Sequence, residues 1–212
     1  KLLREHHREA PGGTSALFAT GRAADGRSSY DHLCDLASPA GDGPWRVLDL
    51  ACGDGHLLSC LQTRYGTGVQ LEGLDMSLEE LDLARTRLGD AVQLHQGMAN
   101  RLPQESSSVD VVTCHLALML MDELDQVIAE ITRVLRPGGR FAAMVEVGPS
   151  ADSELRPLSV LLSELLRQEA VTVDIGDSRC RTEEGLRSLF GPSMFAGFNA
   201  QLLDIDVTLR GD

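Results

Sequence analysis

Apolar residues in this chain fall into short, nearly continuous runs separated by stretches with helical spacing. Trp45 to Leu50 is the first such run. A run of this kind suits a parallel strand covered on both faces. It leads directly into Ala51-Cys52-Gly53-Asp54-Gly55, and His56 to Tyr65 then follows as a helix. Leu71 to Leu74 is a second strand, ending at Asp75. Ser77-Leu78-Glu79-Glu80 is a capping box that starts a helix running to about Leu88. Ala91 to His95 is strand three and Val109 to Cys114 is strand four. Asp122 is expected to cap a long helix, because Leu124, Val127, Ile128, Ile131, Val134 and Leu135 repeat with helical period. Pro137-Gly138-Gly139 should end that helix, with strand five from Arg140 to Val147. Residues 28–37 form a short helix, after the breaker Pro11-Gly12-Gly13. Further helices are expected near Leu155–Ala170 and at Glu183–Phe190, and a sixth strand at Ala200–Leu209.

Strands alternating with helices predict an α/β fold, a doubly wound, mostly parallel sheet with helices on both faces. Helical lid segments sit at the N-terminus and after strand five. We expect a single domain: a cap over 1–40, a core over 41–147, a lid over 148–182, and a final helix and strand over 183–212.

The turn after strand one carries the chemistry. Gly53 and Gly55 let a ligand approach the backbone without a Cβ in the way. Asp75, twenty residues after Gly55, stands where an acid can accept hydrogen bonds from ribose hydroxyls. The turn is not a dinucleotide fingerprint, because Leu58 occupies the position of the third glycine. Asp49 and Asp54 are poor neighbours for a pyrophosphate and good ones for a sulfonium or an ammonium. An adenosine with a cationic tail fits better than a dinucleotide.

These residues resemble the first motif of class I S-adenosylmethionine-dependent methyltransferases, with their Rossmann-like fold. Gly97-Met98-Ala99, the stretch Ser108 to His115, and Arg133 to Phe141 are similar to the later motifs of the small-molecule subgroup, the type 11-like one. The resemblance covers roughly residues 20–147. It implies S-adenosyl-L-methionine as cofactor, with Asp49, Ala51, Cys52, Gly53 and Gly55 facing the methionine end. It also implies backbone carbonyls near Gly53 and Cys114 for the amino group, Asp75 on the ribose, and Met76 on the adenine. An acid is common at the position of Met98. Here the base would be held by apolar contact and the Ala99 amide, at a cost of about 1 kcal/mol for the lost hydrogen bond. An Arg before the first helix often binds the cofactor carboxylate, which makes Arg27, ahead of Arg22, the candidate. His115 lies at the end of strand four, as general base or as pocket lining. Glu146 is a second candidate base. The family's seventh strand, antiparallel between strands five and six, has no counterpart in the sequence: either the chain is incomplete or that edge is built differently.

The expected reaction is in-line methyl transfer to an O, N or possibly C nucleophile of a small organic molecule. Two alternatives remain: a non-catalytic cofactor-binding module, and a nicotinamide-dependent oxidoreductase. The net charge of −13, without any run of Lys or Arg, argues against nucleic acid and anionic membranes as partners. No apolar run reaches membrane-spanning length and no signal peptide opens the chain. Cys52 and Cys114 lie inside the motifs, so a reduced, cytoplasmic protein is expected. No His, Cys and acid set has metal-site spacing.

Overall fold

The computed structural model describes residues 11–38, 43–147, 176–191 and 195–205. Its centre is a five-stranded sheet built from β1 (Trp45–Leu50), β2 (Val69–Asp75), β3 (Gln93–Gln96), β4 (Val109–His115) and β5 (Leu135–Met144). The spatial order is β3-β2-β1-β4-β5 and every neighbouring pair is parallel. Chain order reverses between β1 and β4, and the crevice beyond their carboxyl ends is where such sheets hold ligands.

Helices cover both faces. Val47, Leu71, Val111 and Ala142 pack into one cluster with α2 (Ser29–Leu36), α3 (His56–Tyr65) and α4 (Leu78–Leu88). Leu48, Leu50, Leu74 and Val112 pack into a second cluster with α5 (Leu124–Val134) and with Leu189 of α6 (Glu183–Leu189). Successive β1 residues point to opposite faces, so both Val47 and Leu48 are buried. That is why the strand reads as a continuous apolar run. A short helix, α1 (Gly13–Phe18), precedes these elements.

The predicted elements correspond to observed ones with four corrections. Ser77 caps α4 by accepting from the Glu80 N–H at 3.3 Å, but the reciprocal half of the capping box is not made. The Ser77 N–H donates to Asp75 Oδ1 at 2.9 Å, and the Glu80 carboxylate accepts instead from the Gly12 N–H. Asp122 does not cap α5: Glu123 holds that position, with φ of 52° and no side-chain cap bond. Pro137-Gly138-Gly139 does not separate helix from strand. The chain leaves the helix at Leu135 (φ −66°, ψ 136°), and β5 begins there. Pro137 bars Arg136 from helical geometry. The extra residues form an irregularity where the pairing jumps from Val109–Leu135 to Val111–Arg140. Finally, residues 200–205 carry no strand, and the rest of that predicted element lies outside the described residues, as does the helix expected at Leu155–Ala170.

Candidate functional site

The tips of β1, β2, β3 and β4 open onto one cleft of about 610 Å³, within the range that holds a cofactor-sized ligand. The turn after β1 forms its floor. Ala51, Gly53 and Gly55 adopt φ of 53°, 53° and 76°. For Ala51 this left-handed geometry costs about 1 kcal/mol or more. Leu116, just past β4, is a second non-glycine residue of this kind at 52° and also lines the cleft. Gly55 is held in place from behind: a Cβ there would lie 2.7 Å from Leu88 Cδ1 and 3.1 Å from Ala84 Cβ of α4. Gly55 therefore shapes the turn without lining the cleft.

Asp75 ties the turn to the tip of β2. Its Oδ2 accepts from the Gly53 N–H at 2.8 Å and its Oδ1 from the Ser77 N–H at 2.9 Å. The Asp75 carboxylate lines the cleft, on the side where a ligand hydroxyl can meet it. Asp75 thus serves the start of α4 and the cleft together.

Asp49 is 2% exposed and lines the cleft beneath the turn, with Thr113 Oγ1 donating to its Oδ1 at 2.8 Å. Burial pushes its carboxyl up to about 7. The Thr113 bond opposes that push and the nearby Asp75 charge adds to it. Asp54 is buried in the same turn, accepts from Ser15 Oγ at 2.5 Å, and is ion-paired with Arg87. Ser15 and the Gly12–Glu80 bond thereby fasten α1 beside the turn.

Across the cleft, His115 stacks on Tyr30 with ring centroids 3.8 Å apart, and its Nε2 lies 2.9 Å from Ser29 Oγ. His56 meets the Tyr30 ring edge-on at 4.5 Å. Burial, helped by the His56 charge, lowers His115 to about 3. The ring is neutral at physiological pH. Of the two readings the sequence left for this residue, general base or pocket lining, the structure favours the lining: enclosure between α2 and β4 removes the water that would solvate the imidazolium.

Of the residues singled out from sequence, Asp49, Ala51, Cys52, Gly53, Asp75, Met76, Met98, Ala99 and His115 all line this cleft. Gly55 and four others do not. The Arg27 guanidinium is bound to Asp35 and to the Asp31 carbonyl, away from the cleft, so it is not positioned for a ligand carboxylate. Arg22 donates to the Ala19 and Gly21 carbonyls. Glu146 is exposed past the end of β5 and does not reach the cleft. Cys114 is wholly buried behind it. Burial raises the thiols of Cys52 and Cys114, so neither is a ready nucleophile. Sequence reasoning missed Thr14, Ser15, Tyr30, Glu80, Asn100 and Asp122 as cleft residues. Tyr30 was in principle accessible, as an aromatic on the helix predicted at 28–37.

The donor set fits an adenosyl ligand with a cationic centre. A carboxylate at the tip of β2 stands beside a glycine turn with room for backbone approach. Among the described residues, Asp49, Asp54, Asp75, Glu80 and Asp122 line the cleft and no Lys or Arg does. Among the described residues, no group of three or more His, Cys, Asp or Glu could hold a metal ion, and no helix is long and apolar enough to cross a membrane.

Comparison with known proteins points the same way. Residues 48–143 match the family model described as a methyltransferase domain. The chain is similar to demethylmenaquinone methyltransferase of Lactobacillus johnsonii, with 33% identity over 57% of this chain and 57% of the relative. It is also similar to malonyl-[acyl-carrier protein] O-methyltransferase of a Methylovorus species, with 32% identity over 77% of this chain and 53% of the relative. The chain spans about half the length of the curated relatives it matches. Among solved structures it resembles a chain of the Haloferax volcanii complex between the Trm112 methyltransferase activator and a methyltransferase. There the TM-score is 0.54 with 26% identity, over 75% of this chain and 66% of that one.

Proposed function

We propose that this chain, whose residues 48–143 match the methyltransferase-domain model, is a class I S-adenosylmethionine-dependent methyltransferase that binds S-adenosyl-L-methionine in the cleft and transfers its methyl group to a small organic molecule. The observation that carries this reading is Asp75 at the tip of β2, bonded to the Gly53 N–H of a positive-φ turn, in a cleft lined by acids and by no Lys or Arg among the described residues.

In this reading Asp75 accepts from the ribose hydroxyls. Met76, Met98 and Ala99 hold the adenine, and Asn100 closes that side. The turn from Ala51 to Gly53, with Asp49 beneath it, faces the methionine end. Arg27 has no part in it. The cofactor carboxylate falls to Thr14 and the first turn of α3. When bound, the cofactor supplies a methyl group already activated on a sulfonium. The protein then contributes chiefly alignment and exclusion of water. The acidic lining favours a cation and disfavours a pyrophosphate, which sets a nicotinamide dinucleotide apart.

The acceptor atom is an oxygen, nitrogen or carbon nucleophile. His115, neutral and held by Ser29 and Tyr30, shapes its approach and can accept or donate one hydrogen bond there. It is too weak a base to drive a difficult deprotonation.

Calorimetric titration tests this reading, using S-adenosylmethionine, S-adenosylhomocysteine and NAD on the wild type and on Asp75→Asn. We expect dissociation constants on the order of micromolar for the two sulfur compounds and none for NAD. Asp75→Asn should weaken both sulfur compounds by at least about tenfold, for the loss of charge-assisted bonds to the ribose. A folded sample that binds neither sulfur compound would overturn the assignment. Binding without turnover on any acceptor would favour a regulatory module instead.

A further inference from the structure

The rim of the cleft where the adenine would sit carries a methionine where an acceptor is wanted. The exocyclic amine of an adenine is a donor, and a donor that leaves water needs an acceptor. Met98 offers only a thioether, a weak one. Asn100 lines the same cleft two residues further on, and its place is fixed from several directions. The Arg101 N–H donates to the Met98 carbonyl at 3.0 Å, closing a turn around Ala99 and Asn100. The residues that follow are fastened to α5. The Leu102 N–H donates to Glu130 Oε2 at 2.7 Å, and Arg133 donates to the Leu102 and Gln104 carbonyls at 3.0 and 2.8 Å. Asn100 Nδ2 itself donates to Glu123 Oε2 at 2.5 Å. Glu123 stands at the start of α5, where its carbonyl accepts from the Gln126 and Val127 N–H groups.

Resting on the cofactor reading above, we infer that Asn100 recognises the adenine amine through its side-chain oxygen, and that Glu123 is the positioning residue that keeps the amide turned that way. An ionised carboxylate only accepts. The Asn100 amide must therefore give its Nδ2 to Glu123, which turns Oδ1 away from that carboxylate and leaves it for the cleft. An acceptor presented there matches the exocyclic amine of adenine. It meets the oxo group of hypoxanthine acceptor to acceptor, which is a repulsive pairing. An asparagine alone would read either purine, because its amide holds a donor on one side and an acceptor on the other. The Glu123 carboxylate is what makes it selective. Replace that carboxylate by a group that also donates, and the Asn100 amide is free to turn over and offer Nδ2 to an oxo group.

The test is calorimetric binding of three ligands: S-adenosylhomocysteine, its deamino analogue with hydrogen in place of the exocyclic amine, and its inosine analogue. S-adenosylhomocysteine is titrated first and separately. The wild type should bind the deamino analogue about fivefold more weakly, for one lost neutral hydrogen bond, and the inosine analogue at least about tenfold more weakly. Asn100→Leu should bring S-adenosylhomocysteine and the deamino analogue to within about twofold of each other. Glu123→Gln keeps the side chain's length and can still accept from Nδ2, so S-adenosylhomocysteine affinity should stay within about threefold of the wild type. Its amide can also donate, so the inosine analogue should gain at least about threefold. Wild-type protein that binds the deamino analogue as tightly as S-adenosylhomocysteine would overturn the proposal without any variant. So would Asn100→Leu protein that keeps the wild-type preference for the amine. An unchanged inosine penalty in Glu123→Gln would show that Glu123 only tethers the loop, and would overturn its positioning role. Failure of the wild type to bind S-adenosylhomocysteine at all would instead bring down the cofactor assignment, and this proposal with it.

Discussion

Asp49→Asn should make the ligand-free protein more stable at alkaline pH while weakening its grip on the cofactor. The Asp49 carboxyl is fully enclosed by the sheet and the turn, and its folded value is about 7 against an ordinary 3.8. That is a rise of about 3 units, and each unit corresponds to about 1.4 kcal/mol, so the ceiling is about 4 kcal/mol. The sign follows from proton linkage. A carboxyl whose folded value is raised holds its proton more tightly when folded. Stability therefore declines as pH rises from about 4 to about 7, and stays at its lowered level above that. Asparagine has the same shape, still accepts from Thr113 Oγ1, and cannot ionise. Cleft water will relieve part of the penalty, so we expect a gain of about 2 kcal/mol at pH about 8 and within about 1 kcal/mol of zero at pH about 4.5. Urea unfolding of the two proteins across that pH range is the assay. Every other titrating group is common to both and cancels in the difference. A variant no more stable than the wild type at pH about 8, or one equally stabilised at both ends, would refute the reasoning. The same substitution should lower affinity for S-adenosylmethionine, because a cationic ligand is what makes ionised Asp49 worth keeping.

Gly55→Ala should cost roughly 2–3 kcal/mol in urea unfolding, since its φ is 76° and the new Cβ would meet Leu88 and Ala84; an unchanged midpoint would contradict the turn geometry. Glu72 is buried: burial pushes its carboxyl up, but bonds from Gln104 and Arg46 outweigh that and hold it below the usual range. Arg46→Met should therefore destabilise by about 3 kcal/mol at neutral pH, by stranding a buried charge. The deficit should narrow under acid as Glu72 protonates, readable from the pH dependence of the unfolding midpoint. Once an acceptor is in hand, His115 should contribute no ionisation to the rate between about pH 6 and 8, because its folded value is about 3. The kcat/KM profile of His115→Gln should keep the wild-type shape over that range, and a lost inflection near neutrality would show His115 to be the base.

The legible parts of the site are those written within one stretch of chain. β1, the Ala51–Gly55 turn and α3 are contiguous, so their strand, glycine and helix signals reinforce each other. Asp75 was legible for the same reason, as the last residue of a strand at a fixed distance. The misreadings involve partners or exposure that the local pattern does not name. Glu80 was assigned to a capping box, yet Gly12, 68 residues away, takes its carboxylate. Arg27 was assigned to the cofactor, yet Asp35, in the helix that begins just after it, holds it. Glu146 was placed near the chemistry by its position after β5, and only the exposure of that segment removes it.

The sequence by itself determined the alternation of strand and helix, the parallel sheet, the ligand end of that sheet, and the acids beside the glycine turn on which the cofactor proposal rests. These follow from local rules: periodicity, glycine conformation, and the sign of charge beside the turn. The tertiary structure decided which side chains meet there and in what protonation state. It brought α1 to the turn through Ser15 and Asp54, stacked Tyr30 on His115 across 85 residues of chain, and enclosed Asp49 deeply enough to hold its proton near neutrality. Desolvation and ion pairing depend on what surrounds a group in space. A sequence names the groups but leaves their surroundings to the fold.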